Sequence, residues 1–449
     1  MAKKSGVRFV CSNCGEVATT WSGRCQQCGE WNTLQEQIDI STSNIKSAGT
    51  ALPASNVATL AKQDLLPRLQ TGMADVDVVL GGGLVLGSVS LIAGQPGIGK
   101  STLLLQIAQL VATKQPVLYI SGEESAHQIG LRASRIGAKA LKLQLATSNS
   151  ADDIATTLST GEYKLVIVDS IQTISVSAIT AGAGSVSQIT NSTQLLTAAA
   201  KQSNTALVIV GHVTKECSIA GPKLLEHMVD VVLQIEGDRY GGFKLLRGIK
   251  NRFGSTNETG IFEMVDEGLK PVENPSAALL AERQVTDGSV VLATMEGSRP
   301  LLVEVQALVN RTSYGYPKRA ASGFDLNRLN LLVAMLERRT KLNLSDQDIY
   351  VNIVGGIKIT EPAADLAVVM ALASAAKGMQ LKANAVVFGE VGLSGEVRHV
   401  PQLEKRLAEA KKLGFSVAIG PVMRGGKKPS MLKSVNDVRS ALNQFLAKD

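Results

Sequence analysis

Residues 86–105 read LGSVSLIAGQPGIGKSTLLL, and the segment Gly94-Gln-Pro-Gly-Ile-Gly-Lys-Ser101 within them has the spacing G-x-x-x-x-G-K-[ST]. Gly94, Gly97 and Gly99 let the backbone curl, so that successive N–H groups face one anion. Lys100 then carries a charge to the β- and γ-phosphates of a nucleotide, and the Ser101 hydroxyl is placed to ligate Mg²⁺. Gln95, Pro96, Ile98 and Thr102 complete the cradle. Val89 to Ala93 is a short apolar run of the kind a buried parallel strand needs, and Thr102 to Ala112 has helical spacing. The order of strand, glycine loop and helix puts the positive end of the helix at the same anion.

Outward from this loop, Leu65 to Pro271 alternates apolar runs with helical patterns, the mark of an α/β fold with a mostly parallel sheet. Further strands are expected at Val117–Ser121, Leu141–Ala146, Leu165–Val168, Leu207–Val210 and Val229–Ile235. Ligands of such sheets bind beyond the carboxyl ends of the strands. Asp169 ends one strand and fits a Walker B carboxylate on the Mg²⁺ shell. Glu123 ends another, where a carboxylate can orient and deprotonate water. The competing reading makes Glu123 and Glu124 a pair favoured at a helix start. His212 is either a γ-phosphate sensor or a hydrogen-bonded loop histidine. Ser175–Ser187 and Thr214–Glu226 read as small-residue loops, suited to contacting DNA or simply to connecting elements. Lys250 and Arg252, in the run Lys-Asn-Arg-Phe-Gly254 after a hairpin, lie two residues apart on an extended segment and point the same way. They suit the γ-phosphate of a neighbouring subunit, a backbone phosphate, or an exposed basic turn.

Ahead of this core stand Cys11-Ser-Asn-Cys14 and Cys25-Gln-Gln-Cys28, two C-x-x-C pairs ten residues apart. Cys11, Cys14, Cys25 and Cys28 can supply four thiolates in a tetrahedron for Zn²⁺, in preference to disulfides or a redox pair. Trp21 and Trp31 are expected to cover a ribbon too small to build its own core. Residues 41–61, rich in Ser, Ala, Thr and Asn, read as a flexible linker. The chain of 449 residues is 45% hydrophobic and 19% charged, and it carries a formal charge of +7. From Pro401 onward there are ten Lys and Arg against four Asp and Glu. That balance permits nucleic-acid binding and equally fits a solvated surface. No apolar run reaches the roughly 18 residues of a membrane helix, and no apolar signal core opens the chain, so a cytoplasmic location without membrane is expected.

Taken together, the LGGGLVLGS lead-in, the GQPGIGKS loop, the SGEES strand end, the KNRFG run and the four-cysteine ribbon resemble the bacterial RadA/Sms family, relatives of the RecA recombinase. The resemblance implies a homohexamer ring with ATP or ADP at subunit interfaces. It implies a DNA-dependent ATPase, helicase-like, that works on single-stranded and branched DNA in repair by recombination. Lys250 and Arg252 match residues that family needs for ATP and DNA work, and RecA recombinase and replication or repair proteins are candidate partners. Cys217 stands where the family's VTKEG run has glycine. Gly355–Asp365 and Phe388–Glu396 resemble the proteolytic domain of the Lon protease. The serine position of its dyad falls on Ala363 and the lysine position on Glu404, so neither hydroxyl nor amine is present. An inactive scaffold is expected, with Lys405, Arg406, Lys411, Lys412, Lys427 and Lys428 as candidate DNA contacts. The rivals are an ATP-dependent protease and a RecA-fold switch or autokinase. The expected order is a zinc ribbon (1–36), a linker (37–64), a RecA-like core (65–272) and a Lon-protease-like α+β domain (273–449).

Overall fold

The computed structural model describes residues 7–11, 13–14, 16–38, 68–212, 224–237, 242–313, 315–381, 384–423, 425 and 429–447. It divides into two compact units, Met1–Leu65 and Leu66–Asp449. In the first, Val7–Cys11 pairs antiparallel with Val17–Ala18 and with Leu34–Ile38. The last strand therefore runs two residues past position 36. Cys11, Cys25 and Leu34 form the buried centre, with Phe9, Ala18 and Cys28 against it. The expected tryptophan cover is wrong: Trp21 is 60% and Trp31 68% exposed. The cysteines themselves fill the small interior, which leaves no room inside for an indole. The expected linker at 37–64 falls almost wholly outside the described residues.

The second unit begins with a nine-stranded sheet. Its order is Gly268–Pro271, Thr259–Val265, Phe243–Asn251, Val231–Gly237, Val89–Gly94, Ala206–His212, Leu165–Asp169, Val117–Ser121, Leu143–Thr147. The six strands from Val231–Gly237 onward are parallel, and the three at the other edge are antiparallel. Alternation of side chains sorts each strand between two cores. Val117, Tyr119, Leu165, Ile167, Val208 and Val210 face one side, with Leu103, Leu104 and Ile107 of the helix Lys100–Ala112. Leu118, Ile120, Val166, Val168, Leu207 and Ile209 face the other, with Ile189 and Leu196 of the helix Val186–Ser203. One strand separates the loop-bearing strand from the Asp169 strand.

The chain then builds a seven-stranded mixed sheet, ordered Arg319–Ser322, Gln347–Ile353, Arg299–Arg311, Ser289–Glu296, Ala385–Val387, Val417–Pro421, Leu432–Val435. The helix Asp365–Lys377 is buried on nearly every face, so it runs through the middle of its core. That core continues into the first sheet: Leu245, Ile261, Val272 and Leu279 belong to the same packed cluster as Val291, Leu302 and Phe388. Polar ties reinforce it. Arg247 bridges Glu236 at 2.9 Å and Glu296 at 2.5 Å, and Arg299 meets Asp75 at 3.1 Å. Among the described residues no helix is long and apolar enough to cross a membrane.

Arg406 corrects the reading of a basic helix open to DNA. On the helix Leu403–Lys412 it is wholly buried, pairs with Glu361, and donates to the carbonyls of Ala293 at 2.6 Å and Pro401 at 3.2 Å. Its ring neighbour is Phe388. Lys405, Lys411 and Lys412 remain exposed, whereas Lys427 and Lys428 lie outside the described residues. Removing one partner of a buried ion pair leaves the other uncompensated, which costs about 3–5 kcal/mol. Arg406→Ala is therefore expected to lower the urea midpoint of the second unit by that equivalent. An unchanged midpoint would show that the pair does not hold the core in solution.

Candidate nucleotide site and metal centre

The loop Gly94–Gly99 joins the strand Val89–Gly94 to the helix Lys100–Ala112. Gly97 and Gly99 have φ of +78° and +113°, left-handed backbone that side chains resist. A Cβ on Gly99 would stand 2.7 Å from Met264 Cε, whereas one on Gly97 would meet nothing within 4 Å. The loop is thus packed from below and open above Gly97. Lys100 is only 4% exposed. Its Nζ donates to the carbonyls of Gly94 at 2.9 Å and Gln95 at 3.1 Å, folding back over the loop. Burial lowers its pKa, and the nearby charges of Asp169 and Glu123 oppose that shift. Ser101 and Thr102 sit half-buried on the first helical turn.

Asp169, at the end of its strand, accepts from the Tyr119 hydroxyl at 2.6 Å. Burial and the Asp169 charge hold Tyr119 in its neutral, donating form. Glu123 accepts a hydrogen bond from the Ser170 hydroxyl. Its neighbour behaves differently: Glu124 takes both Arg132 nitrogens, at 2.7 and 2.6 Å, in a two-pronged ion pair. Between the adjacent glutamates, then, Glu123 turns toward Asp169 and Lys100 while Glu124 fastens the helix Ala126–Arg135. Tyr119 and Ser170 carry no motif; the only sequence signal for Ser170 is its place directly after Asp169.

Lys250 Nζ donates to the carbonyls of Glu226 at 2.6 Å and Val229 at 2.8 Å. Arg252 meets Asp230 at 3.0 Å. Both cations converge on residues 226–230, and each has an intrachain partner. Burial and then the adjacent Arg252 charge depress the Lys250 pKa. The loop after Ile174 is pinned from beneath. Gln188 accepts from Val176 N at 2.8 Å and donates to the carbonyls of Ile179 and Ala181, each at 2.9 Å. Cys217 and the His212 side chain lie outside the described residues, as does Thr214–Glu226 up to Lys223.

In the other unit the sulfurs of Cys11, Cys14, Cys25 and Cys28 all lie within 4.8 Å of one another. The Cys11–Cys28 and Cys14–Cys25 separations are both 3.7 Å. A zinc ion ~2.3 Å from each of four sulfurs would space them ~3.8 Å apart, so the donor set and its size fit tetrahedral zinc. Thr33 Oγ1, 3.2 Å from Cys11 Sγ, draws that thiol's pKa down, whereas at Cys14 the lowering by the Glu16 amide is outweighed by desolvation and the neighbouring thiols, which push the pKa up, so without a cation the four sulfurs do not ionise together. At the positions of a peptidase dyad, Ala363 is buried on a 3₁₀ turn, and Glu404 is exposed at the start of a helix.

Three family models match the chain: an AAA domain over residues 60–218, a rubredoxin metal-binding domain over 9–36, and subunit ChlI of Mg-chelatase over 330–423. The DNA repair protein RadA of Pseudomonas aeruginosa is 47% identical over 418 residues, 92% of each chain. That of Bacillus subtilis is 46% identical over 99% of each chain, and that of Halalkalibacterium halodurans 44% over the whole of both. A crystal structure of the RadB recombinase aligns with 46% of this chain and all of its own, at 22% identity and a TM-score of 0.37. With identity of this order running the length of several curated relatives, the chain belongs to the RadA family.

Proposed function

We propose that the protein is a DNA-dependent ATPase of repair by recombination, a helicase-like motor that assembles as a homohexamer ring and acts on single-stranded and branched DNA. One observation carries this reading: Lys100, Asp169 and Glu123 meet at the carboxyl edge of the parallel strands, and Ser170 orients the last of them. The name of the relatives, DNA repair protein, supports the biological setting.

In this mechanism the loop backbone from Gly94 to Gly99 wraps the β- and γ-phosphates of ATP. The Lys100 ammonium exchanges its carbonyl partners for phosphate oxygens. A desolvated cation gains more from that meeting than a hydrated one. Ser101 and Asp169 would hold Mg²⁺, which would supply charge neutralisation for the transferred phosphoryl group. Tyr119 keeps Asp169 turned toward that shell. Glu123, held by Ser170, aligns the attacking water and accepts its proton. Lys250 and Arg252 are proposed to complete the site of a neighbouring protomer, where a cation lent across the boundary is worth ~10³-fold or more in rate. Polynucleotide in the ring channel would decide when they arrive. The ribbon cysteines would hold Zn²⁺, fixing the ribbon's shape. With Ala363 and Glu404 at the dyad positions, the second sheet is proposed as a scaffold without peptidase chemistry.

The deciding experiment is ATP turnover with and without single-stranded DNA, alongside mass measured with nucleotide bound. Turnover indifferent to DNA, or as fast in isolated monomers, would refute the motor. Lys100→Ala is expected to abolish hydrolysis. Lys250→Ala is expected to bind nucleotide normally and to lose stimulation by DNA. Glu123→Gln is expected to slow the single-turnover rate ~10²-fold or more, whereas Glu124→Gln leaves it within a few-fold and loosens only the Arg132 contact. Equal losses in the two would reverse the assignment. Cys28→Ser is expected to release zinc, read by metal analysis, while the circular dichroism melt of the second unit stays in place.

A further inference from the structure

Trp21 and Trp31 are the two tryptophans of the chain, and both stand on the ribbon, largely exposed. They are neighbours. A side chain on Gly23 would lie 3.7 Å from Trp31 Cζ3 and 4.0 Å from Trp21 Cη2, so glycine there leaves both rings uncovered. Arg24 adds a fixed cation: its Nε donates to the Gly29 carbonyl at 2.7 Å, and its guanidinium lies 5.8 Å from the Trp31 ring centroid. Asn32 N donates to the Gly23 carbonyl at 2.9 Å, tying the Trp31 side of the knuckle to the Trp21 side. None of these residues belongs to the ribbon's packed centre. Exposing two indoles is unfavourable, and neither contributes to the ribbon's packed centre in return.

We infer that the Trp21–Trp31 face is a stacking platform for unpaired bases of single-stranded DNA, an inference that rests on the DNA reading above. Flat aromatic faces beside an arginine suit nucleobases, each of which has a π-face. A protein hot spot would call for a desolvated pocket with a water-excluding apolar rim. Here three of the chain neighbours, Thr20, Ser22 and Asn32, are polar and uncharged, and the fourth, Glu30, is acidic, so the rim is not apolar. Between residues 7 and 38 the ionisable side chains other than cysteine are Arg8 and Arg24 against Glu16, Glu30 and Glu36, a net −1, so phosphate attraction does not supply the binding. Binding at this face therefore comes from stacking and depends weakly on salt.

Because the tryptophans of the whole chain lie here, intrinsic emission of the full-length, zinc-loaded protein reports on the platform directly. The probe is a thymidine oligonucleotide, with its binding followed in parallel by the anisotropy of a dye on the DNA. The expected result is saturable quenching of tryptophan emission, following the same isotherm as the anisotropy, as bases stack. Gly23→Val keeps both indoles; its backbone is outside the left-handed region and its Cβ would sit at ordinary contact distance from both rings, so the added methyl groups crowd the platform. It is expected to abolish the quenching while zinc content and basal ATPase stay unchanged. Trp31→Ala is expected to weaken oligonucleotide binding by the ribbon about fivefold or more, and Trp31→Phe to restore most of it. Binding seen by anisotropy with unmoved emission would overturn the platform and leave the DNA reading standing. Quenching that survives Gly23→Val, or emission that responds to a repair protein and not to DNA, would also overturn it. No binding by either signal would overturn both.

Discussion

The constraint on which the site depends is the burial of one ammonium group. Lys100 is held among the loop carbonyls of Gly94 and Gln95, with Asp169 and Glu123 near enough to counter the cost of desolvation. A buried charge of this kind is tolerated only where surrounding dipoles and opposite charges are fixed in place. Everything that fixes them is sheet architecture. The parallel strands end together, so three charged side chains from distant parts of the chain arrive at one edge, and the two apolar cores on either face keep that edge from shifting.

The adjacent glutamates show how a site separates chemistry from scaffolding. Glu123 and Glu124 share the same strand end and differ by one residue, yet one faces Ser170 and the other is clamped by Arg132. Backbone direction alone makes the difference, since Ser121 Oγ accepts from both of their amides. The Glu123 carboxylate faces the Lys100 and Asp169 side of the site, whereas that of Glu124 is committed to the Arg132 fork.

Much of this was legible in the chain. The phosphate loop, its helix and the strands at Val117, Leu165 and Ala206 follow from local periodicity, and the expected mostly parallel sheet of the core and mixed α+β layer behind it are found. The cysteine cluster follows from spacing, because a C-x-x-C knuckle fixes its own geometry. What could not be read was contact between remote segments. Tyr119 looks like any apolar strand residue until Asp169 is placed opposite it. Arg406 sits in a run of cations and is indistinguishable there from Lys405, yet packing puts it against Glu361, forty-five residues away. Trp21 and Trp31 resemble core residues by composition, and only the size of the cysteine-filled interior turns them outward. Ends of elements also moved slightly: the loop helix begins at Lys100, not Thr102, because the last glycine already supplies its cap.

The continuous core between the two sheets has a mechanical consequence. Leu245 and Ile261, strand residues of the first sheet, are packed into the second, and Arg247 rivets Glu236 to Glu296 across the seam. Close-packed interiors compress little. The two sheets consequently form one stiff body: among the described residues the apolar seam and its ion-pair rivet make any tilt of one sheet a tilt of the other.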